Sequence, residues 1–185
     1  MSVFGDGLDA AVQKAFTRPA PKSAPAQMRY LVRQLKSTRA VAQMLRISQR
    51  TVERYVKHQI KKPRPDLAAR LEAEVKKRWQ PHIRAKARQK AATTDGIVID
   101  TRARIGYTAP IGTTDEDRLR HLTVALSPRY AARLFNAQEQ GASDQQLQQI
   151  AAEALKEVYF QDNGRRAGQL EEVRFTDIEH LEFDL

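Results

Sequence analysis

The residues with the clearest chemical potential lie between positions 36 and 58, where the chain reads KSTRAVAQMLRISQRTVERYVKH. Gln49, Arg50, Thr51, Arg54 and Lys57 fall there at helical spacing opposite Val52, Tyr55 and Val56. One face of a short helix therefore carries cations, an amide and a hydroxyl, while the other offers apolar surface to a core. Guanidinium and amide groups on such a face can hydrogen-bond to base edges, and lysines and hydroxyls can hold phosphates. Ser48 precedes the helix and is placed to cap it, its hydroxyl accepting from the amide of Arg50 or Thr51.

A reading face of this kind needs a second helix to hold it. Val41, Ala42 and Leu45 predict one, capped by Ser37 or Thr38. Ala42 is small where the helices must cross closely, Ile47 plugs the turn and Val52 anchors the second helix, which together is helix-turn-helix grammar. Arg46 stands where such turns often carry Gly, and a left-handed residue other than Gly costs on the order of 1 kcal/mol, so a slightly different turn is expected. A helix over residues 26–36, with Met28, Leu31, Val32 and Leu35 inward, completes the domain.

Lys61, Lys62 and Arg64, set between prolines, form a basic connector. Asp66 is placed to cap a long helix in which Leu67, Leu71, Val75 and Trp79 recur every four residues. Its back carries Lys76, Lys77, Arg78, Arg84, Lys86, Arg88 and Lys90, and Pro81 should kink or restart it because proline removes a backbone donor. Read as phosphate contacts, these cations make affinity fall steeply with salt.

The charge is placed unevenly along the 185 residues. Residues 1–90 hold 22 Lys and Arg against 6 Asp and Glu, a balance of +16, and residues 91–185 hold 10 against 16, a balance of −6, which gives the net +10. The basic half suits a phosphate backbone and the acidic half suits solvent or a protein partner. With no cysteine, disulfides, thiol catalysis and cysteine metal sites are excluded, and His58, His82, His121 and His180 are too scattered to propose a metal site made by this chain alone. No apolar run approaches the ~18 residues of a membrane span, and no secretory leader is recognised, so a cytoplasmic protein with no membrane partner is expected.

The remainder changes period. Leu8, Val12 and Phe16 predict a short N-terminal helix, joined by a Pro-rich stretch (RPAPKSAP) that should leave it loosely attached. Between 96 and 109, Ile97, Ile99, Ala103, Ile105 and Tyr107 alternate with Asp100, Arg102 and Arg104, as in a strand with one buried face. The loop APIGTTDED follows, exposing the hydroxyls of Thr113 and Thr114 before an acidic triplet. A short strand, LTVAL, then leads into a helix opened by Ser127 and Pro128, a stop at Gly141 and a second helix capped by Ser143. That strand-helix-helix order resembles ribbon-helix-helix, with His121, Thr123 and Ala125 outward, and points to dimerisation or partner docking more than to a second DNA reader. The acidic tail, alternating around Val173, Phe175, Leu181 and Phe183, should add strands to the first.

The expected fold class is thus α+β. Residues 1–25 form an N-terminal helix and linker, 26–92 an all-helical helix-turn-helix domain with a long basic helix, and 93–185 a mixed domain carrying the hydroxyl loop and the strand-helix-helix unit.

Three long runs, SQRTVERYVKHQIKKPRPDLAARLEAEV, KRWQPHIRAKARQKAATTDGIVIDTRARIGYTAPIGTTDEDR, and LQQIAAEALKEVYFQDNGRRA with VRFTDIEHLEF, carry a resemblance that covers nearly the whole chain. They resemble the telomere terminal proteins of actinobacterial linear chromosomes and plasmids. The resemblance implies protein priming: a side-chain hydroxyl accepts the first deoxynucleotide from a DNA polymerase, and the protein stays joined to the DNA 5′ end. It implies telomeric DNA ends, a telomere-associated DNA-binding protein and the polymerase as partners, and a homodimer is expected from the strand-helix-helix unit. It further implies nucleoid association, no catalytic residues of the chain's own, and no stably bound cofactor, since divalent metal and dNTP belong to the polymerase site. Within it the acceptor is placed at Thr114, with Thr113 in reserve, and the DNA-binding set comprises Ser48, Gln49, Arg50, Thr51, Arg54, Lys57, Lys61, Lys62, Arg64, Lys76 and Lys77. A competing local reading makes Thr114 the cap of a capping box with Asp117. The competing functions are a helix-turn-helix transcription regulator without a covalent nucleotide, and an enzyme built on Tyr107 near Arg102 and Arg104.

Overall fold

The computed structural model describes residues 2–108, 115–160 and 172–185, with the side chains at 108 and 115–117 left aside. The chain is mixed α and β, and it divides into two compact units, Thr17–Pro81 on one hand and Met1–Phe16 with His82–Leu185 on the other.

The unit Thr17–Pro81 is helical. Helices α2 (Ala24–Leu35), α3 (Thr38–Leu45), α4 (Gln49–Val56) and α5 (Pro65–Arg78) close around Met28, Leu31, Val41, Leu45, Val52 and Leu71, each fully buried. Both α2 and α5 begin with Pro in the first turn, where the missing N–H costs nothing, and α5 starts after Arg64 with Asp66 inside its first turn rather than capping it. α5 ends at Arg78 and the next helix starts at Pro81, so the proline restarts the helix as its chemistry requires. Tyr30 closes this end: its hydroxyl donates to the Arg78 carbonyl at 2.6 Å and its ring meets Trp79 edge-on at 4.9 Å. Burial holds the Tyr30 hydroxyl above the usual tyrosine range, Arg78 opposing, so it stays a donor.

The second unit is built on a three-stranded antiparallel sheet in the order β2-β1-β3, with β1 Ile97–Thr108, β2 Asp115–Leu126 and β3 Glu172–Asp184. One face is covered by α1 (Val3–Lys14), α7 (Pro128–Glu139) and α8 (Asp144–Leu155), which pack on Ile97, Ile99, Ala103 and Ile105. Thr101 is fully buried on that face, the one such polar residue among the described residues, and its hydroxyl donates to the His180 carbonyl at 3.0 Å beside a break in the β1–β3 register. Gly96 opens β1 at φ 74°, ψ −155°, a region open essentially to glycine alone, and a Cβ there would lie 2.1 Å from the Leu126 carbonyl oxygen. The tail strand joins β1 as its alternation predicted.

Several expectations are corrected. The N-terminal helix is not loosely attached: Phe4, Leu8 and Val12 are fully buried, and Phe4 meets Phe175 edge-on at 6.1 Å. The chain accordingly divides at 16/17 and 81/82 rather than at 25 and 92, because α1 buries its apolar stripe against β3 and α8. The following helix, α6 (Pro81–Lys90), buries no residue of its own yet is held in this unit by Arg88. That guanidinium bonds Glu139 at 2.5 Å and Gln138 at 3.0 Å, lies 3.7 Å from Asp9 and sits over the Phe135 ring. Arg88 is therefore spent inside the unit and is withdrawn from the basic face the sequence predicted. Further, β2 begins at Asp115, seven residues earlier than the short strand expected, so the capping-box reading of Thr114 finds no helix to open.

One carboxylate fastens α1. Asp144, in the first turn of α8, accepts from the Ser2 hydroxyl at 2.7 Å and from the amides of Val3, Phe4 and Gly5 at 2.9, 2.9 and 3.2 Å. Burial pushes its carboxyl up, but the Ser2 hydroxyl and the three amides together outweigh it and hold the group below the usual carboxylate range. A carboxylate with a depressed folded pKa contributes stability that is present above the unfolded value, about 4, and is lost as pH falls through the folded one. Asp144→Ala should thus cost about 1–2 kcal/mol at neutral pH, in the range of a lost helix cap, with the difference from the unaltered chain shrinking below pH 4. Urea unfolding of both proteins across pH 2–7 checks this, and a pH-independent difference would exclude the carboxylate as the cause.

Candidate nucleic-acid interface

The turn between α3 and α4 forms as the sequence pattern requires. Ser37 caps α3 through the Ala40 amide at 3.2 Å, and Ser48 caps α4 through the Thr51 amide at 3.2 Å. The Ile47 amide donates to the Ala42 carbonyl at 3.0 Å, which ties the turn to the first helix. Arg46 takes the left-handed conformation, φ 53° and ψ 49°, so the turn does not differ to suit the residue; the arginine accepts the strain instead. Its N–H bonds back to the Ala42 and Gln43 carbonyls, which fixes that conformation.

With Val52 and Tyr55 buried, Ser48, Gln49, Arg50, Arg54 and Lys57 are exposed on α4 and its ends, and Thr51 is half-buried with its hydroxyl 2.8 Å from that of Ser48. Arg50, Arg54 and Lys57 follow one another at helical spacing, which makes one cationic strip. Gln49 is engaged more fully than its sequence suggests: its amide nitrogen donates to the Thr38 hydroxyl at 3.1 Å and to the Glu53 carboxylate at 3.0 Å. Sequence reasoning passed over Thr38 and Glu53 as participants, although the Gln49–Glu53 pair has the i, i+4 spacing at which such side chains meet on a helix.

Beyond α4, Lys61, Lys62 and Arg64 are exposed in the connector, whose path is set partly by the buried Tyr55, donating its hydroxyl to the Lys62 carbonyl at 3.4 Å. Burial holds that hydroxyl above the usual tyrosine range. Arg29 reaches His58 at the end of α4, its guanidinium donating to Nε2. Lys76 and Lys77 are exposed at the far end of α5, roughly 16 Å along the axis from Pro65 at 1.5 Å per residue. They stand on a helix that packs chiefly on α2 rather than on α4, and Lys76 pairs with Glu72 at 3.0 Å. The unit as a whole concentrates charge: residues 17–81 hold 17 Lys and Arg against 4 Asp and Glu, +13, leaving 15 against 18, −3, for the rest.

The remaining candidates lie in the other unit. Thr113 and Thr114 fall outside the described residues, between the ends of the paired strands β1 and β2, where Tyr107 faces Asp115. Tyr107 is not assembled with Arg102 and Arg104. Its ring packs on Phe160 at 5.4 Å, whereas the two arginines are exposed on the alternate strand positions and pair with Glu179 at 2.9 Å and Asp177 at 3.5 Å. Among the described residues no group of three or more His, Asp or Glu side chains is placed to hold a metal ion, and no helix is long and apolar enough to cross a membrane.

Two measurements test this face. Relieving a left-handed residue gains about 1–2 kcal/mol and the added unfolded-state entropy of glycine returns about 0.5–1, so Arg46→Gly should raise stability by about 0.5–1 kcal/mol in thermal or urea unfolding. Arg50→Ala should weaken DNA binding by about 1–3 kcal/mol with the helical circular dichroism unchanged, and adding Arg54→Ala should weaken it further. A normal footprint and affinity in the double variant would remove α4 from the interface. Comparison with models of protein families, with characterised proteins and with solved structures finds no match to this chain.

Proposed function

We propose that this chain is a protein primer for the ends of linear DNA, as the resemblance to telomere terminal proteins implies, binding DNA through a helix-turn-helix made of α3 and α4. The observation that carries the DNA-binding part is the capped two-helix corner whose second helix exposes Arg50, Arg54 and Lys57 from a unit with a charge balance of +13. Neutralising phosphates with these cations releases counterions, so binding weakens steeply with salt. Arg50, Gln49 and Arg54 supply the groups that read base edges in the major groove, while Ser48, Thr51, Lys57 and the connector cations Lys61, Lys62 and Arg64 address the backbone. Lys76 and Lys77 extend the phosphate contact along α5.

The priming part rests on the resemblance and on chemistry. Replication of a linear end leaves a gap that no polymerase fills without a hydroxyl to extend, and a bound protein can lend one. Thr114, with Thr113 beside it, provides that oxygen between two long antiparallel strands, so the donor belongs to a different compact unit from the DNA reader. The threonine oxygen attacks the α-phosphorus of the incoming dNTP, a P–O bond forms, pyrophosphate leaves, and the hydroxyl proton passes to solvent or a base in the polymerase site. The chain is the substrate of this step and the polymerase its catalyst. A homodimer or a docked telomere-associated partner belongs to the same reading: it would use β2, one edge of which pairs with β1, together with α7 and α8, with His121, Thr123 and Ala125 exposed on the strand.

A transcription regulator would share the reader but never carry a nucleotide. Mass spectrometry of the protein recovered from nuclease-treated cellular DNA should find a nucleotide mass on the peptide holding Thr113 and Thr114. Thr114→Ala should abolish labelling by the cognate polymerase and leave DNA binding intact, with Thr114→Ser retaining part of it. Full labelling of the Thr113→Ala, Thr114→Ala double variant would place the acceptor elsewhere.

A further inference from the structure

The contacts of Gln49 bear on which bases α4 can read. A carboxylate only accepts hydrogen bonds, so the atom of Gln49 that lies 3.0 Å from the Glu53 carboxylate must be the amide nitrogen. The same nitrogen lies 3.1 Å from the Thr38 hydroxyl oxygen. An amide nitrogen has two hydrogens, and these two partners use both. What Gln49 has left for a ligand is its carbonyl oxygen, an acceptor, at the exposed first residue of α4. An unbraced glutamine can rotate its amide to suit either a donor or an acceptor; here the negative charge of Glu53 opposes that rotation, because the carbonyl oxygen would then face a carboxylate.

We propose that Thr38 and Glu53 are positioning residues that fix Gln49 as an acceptor-only reader, so that the base it meets in the major groove is one bearing an exocyclic amino group, adenine or cytosine, and not guanine or thymine. The inference rests on the reading of α4 as the DNA-contacting helix. Its chemistry follows from the groove: adenine N6 and cytosine N4 donate there, whereas guanine O6 and thymine O4 accept and would set oxygen against oxygen. Because the nitrogen is committed, Gln49 cannot also donate to adenine N7, and it does not separate adenine from cytosine. The preference expected is roughly five- to tenfold for either amino base over either keto base, the lower end of what a base contact supplies.

Three variants test it. Glu53→Gln keeps the length of the side chain and removes the carboxylate, so the Gln49 amide can point either way. Thr38→Val keeps the shape of the threonine and frees one hydrogen of the Gln49 nitrogen. Gln49→Ala identifies the base pair concerned. The full chain and each variant are used to select from a random-sequence duplex DNA pool at fixed salt. The unaltered chain should show one position, lost in Gln49→Ala, at which adenine and cytosine are both enriched over guanine and thymine. In Glu53→Gln that bias should fall to within about twofold with overall affinity equal or higher, since a negative charge near the phosphates is gone. In Thr38→Val adenine should gain over cytosine, because the freed hydrogen can reach N7. A keto base preferred at the Gln49-dependent position, no position that depends on Gln49, or an unchanged bias in both Glu53→Gln and Thr38→Val would each overturn the proposal while leaving DNA binding by α4 standing. If the unaltered chain enriches no sequence, sequence reading by α4 falls, and this inference falls with it.

Discussion

The constraint on which the larger unit depends is that β1 is paired on both edges and covered on one face at the same time. Ile97, Ile99, Thr101, Ala103 and Ile105 must all point to the helices, because a slip of one residue against β2 or β3 would send this set to solvent and bring Asp100, Arg102 and Arg104 into the core. Everything else in the unit answers to that register. Gly96 lets the chain enter the strand against the Leu126 carbonyl, and Thr101 spends its hydroxyl on the His180 carbonyl where the β3 register shifts. α1, distant in sequence, supplies Phe4, Leu8 and Val12 to a core that its neighbours in the chain do not share. Asp144 then completes the arrangement by satisfying the free amides at the start of α1, the groups a helix cannot satisfy for itself.

The smaller unit faces the opposite difficulty, a surplus of like charge over a small core. Twelve buried hydrophobic residues, from Ala24 to Val75, hold four helices together, and their side chains are arranged so that the cations stay outside. Part of the positive charge is neutralised locally by the i, i+4 pairs Asp66–Arg70, Glu72–Lys76 and Glu74–Arg78, all on α5. On α4 the acid in the same relation, Glu53, is engaged instead by the neutral Gln49. Exposed pairs on one helix contribute only about 0.3–0.5 kcal/mol each, so this distribution matters more for where the unit carries its charge than for its stability.

In the proposed function the two units divide the work along these physical lines. A reader of DNA needs rigid, outward cations on a small helical frame, and a hydroxyl donor needs a tether that a polymerase can approach without displacing the reader. The segment bearing Thr113 and Thr114 joins β1 to β2 in sequence, and its acidic neighbours distinguish it from the basic unit.

Local chemistry written in the sequence determined the helices and their ends. Ser37, Ser48 and Ser143 act as caps because each hydroxyl reaches an amide only three residues on, and Pro25, Pro65, Pro81 and Pro128 mark helix starts by fixing their own backbone. Period-two alternation likewise disclosed β1 and β3, and the helical period disclosed the face that α4 exposes, since periodicity reports burial without reference to any distant residue. Tertiary structure alone decided where those elements go. The fixing of α1 by Asp144 spans more than 130 residues of sequence, and Arg88 meets Asp9 and Glu139 from positions no spacing rule connects. The same holds for β2, whose first residues read as an acidic loop until β1 is set beside them, and for Thr38, which engages Gln49 only because the turn at Arg46 folds α3 against α4. Caps and periods depend on neighbours within one turn of chain; domain membership, strand length and the orientation of the Gln49 amide depend on contacts that exist only after the chain has closed on itself.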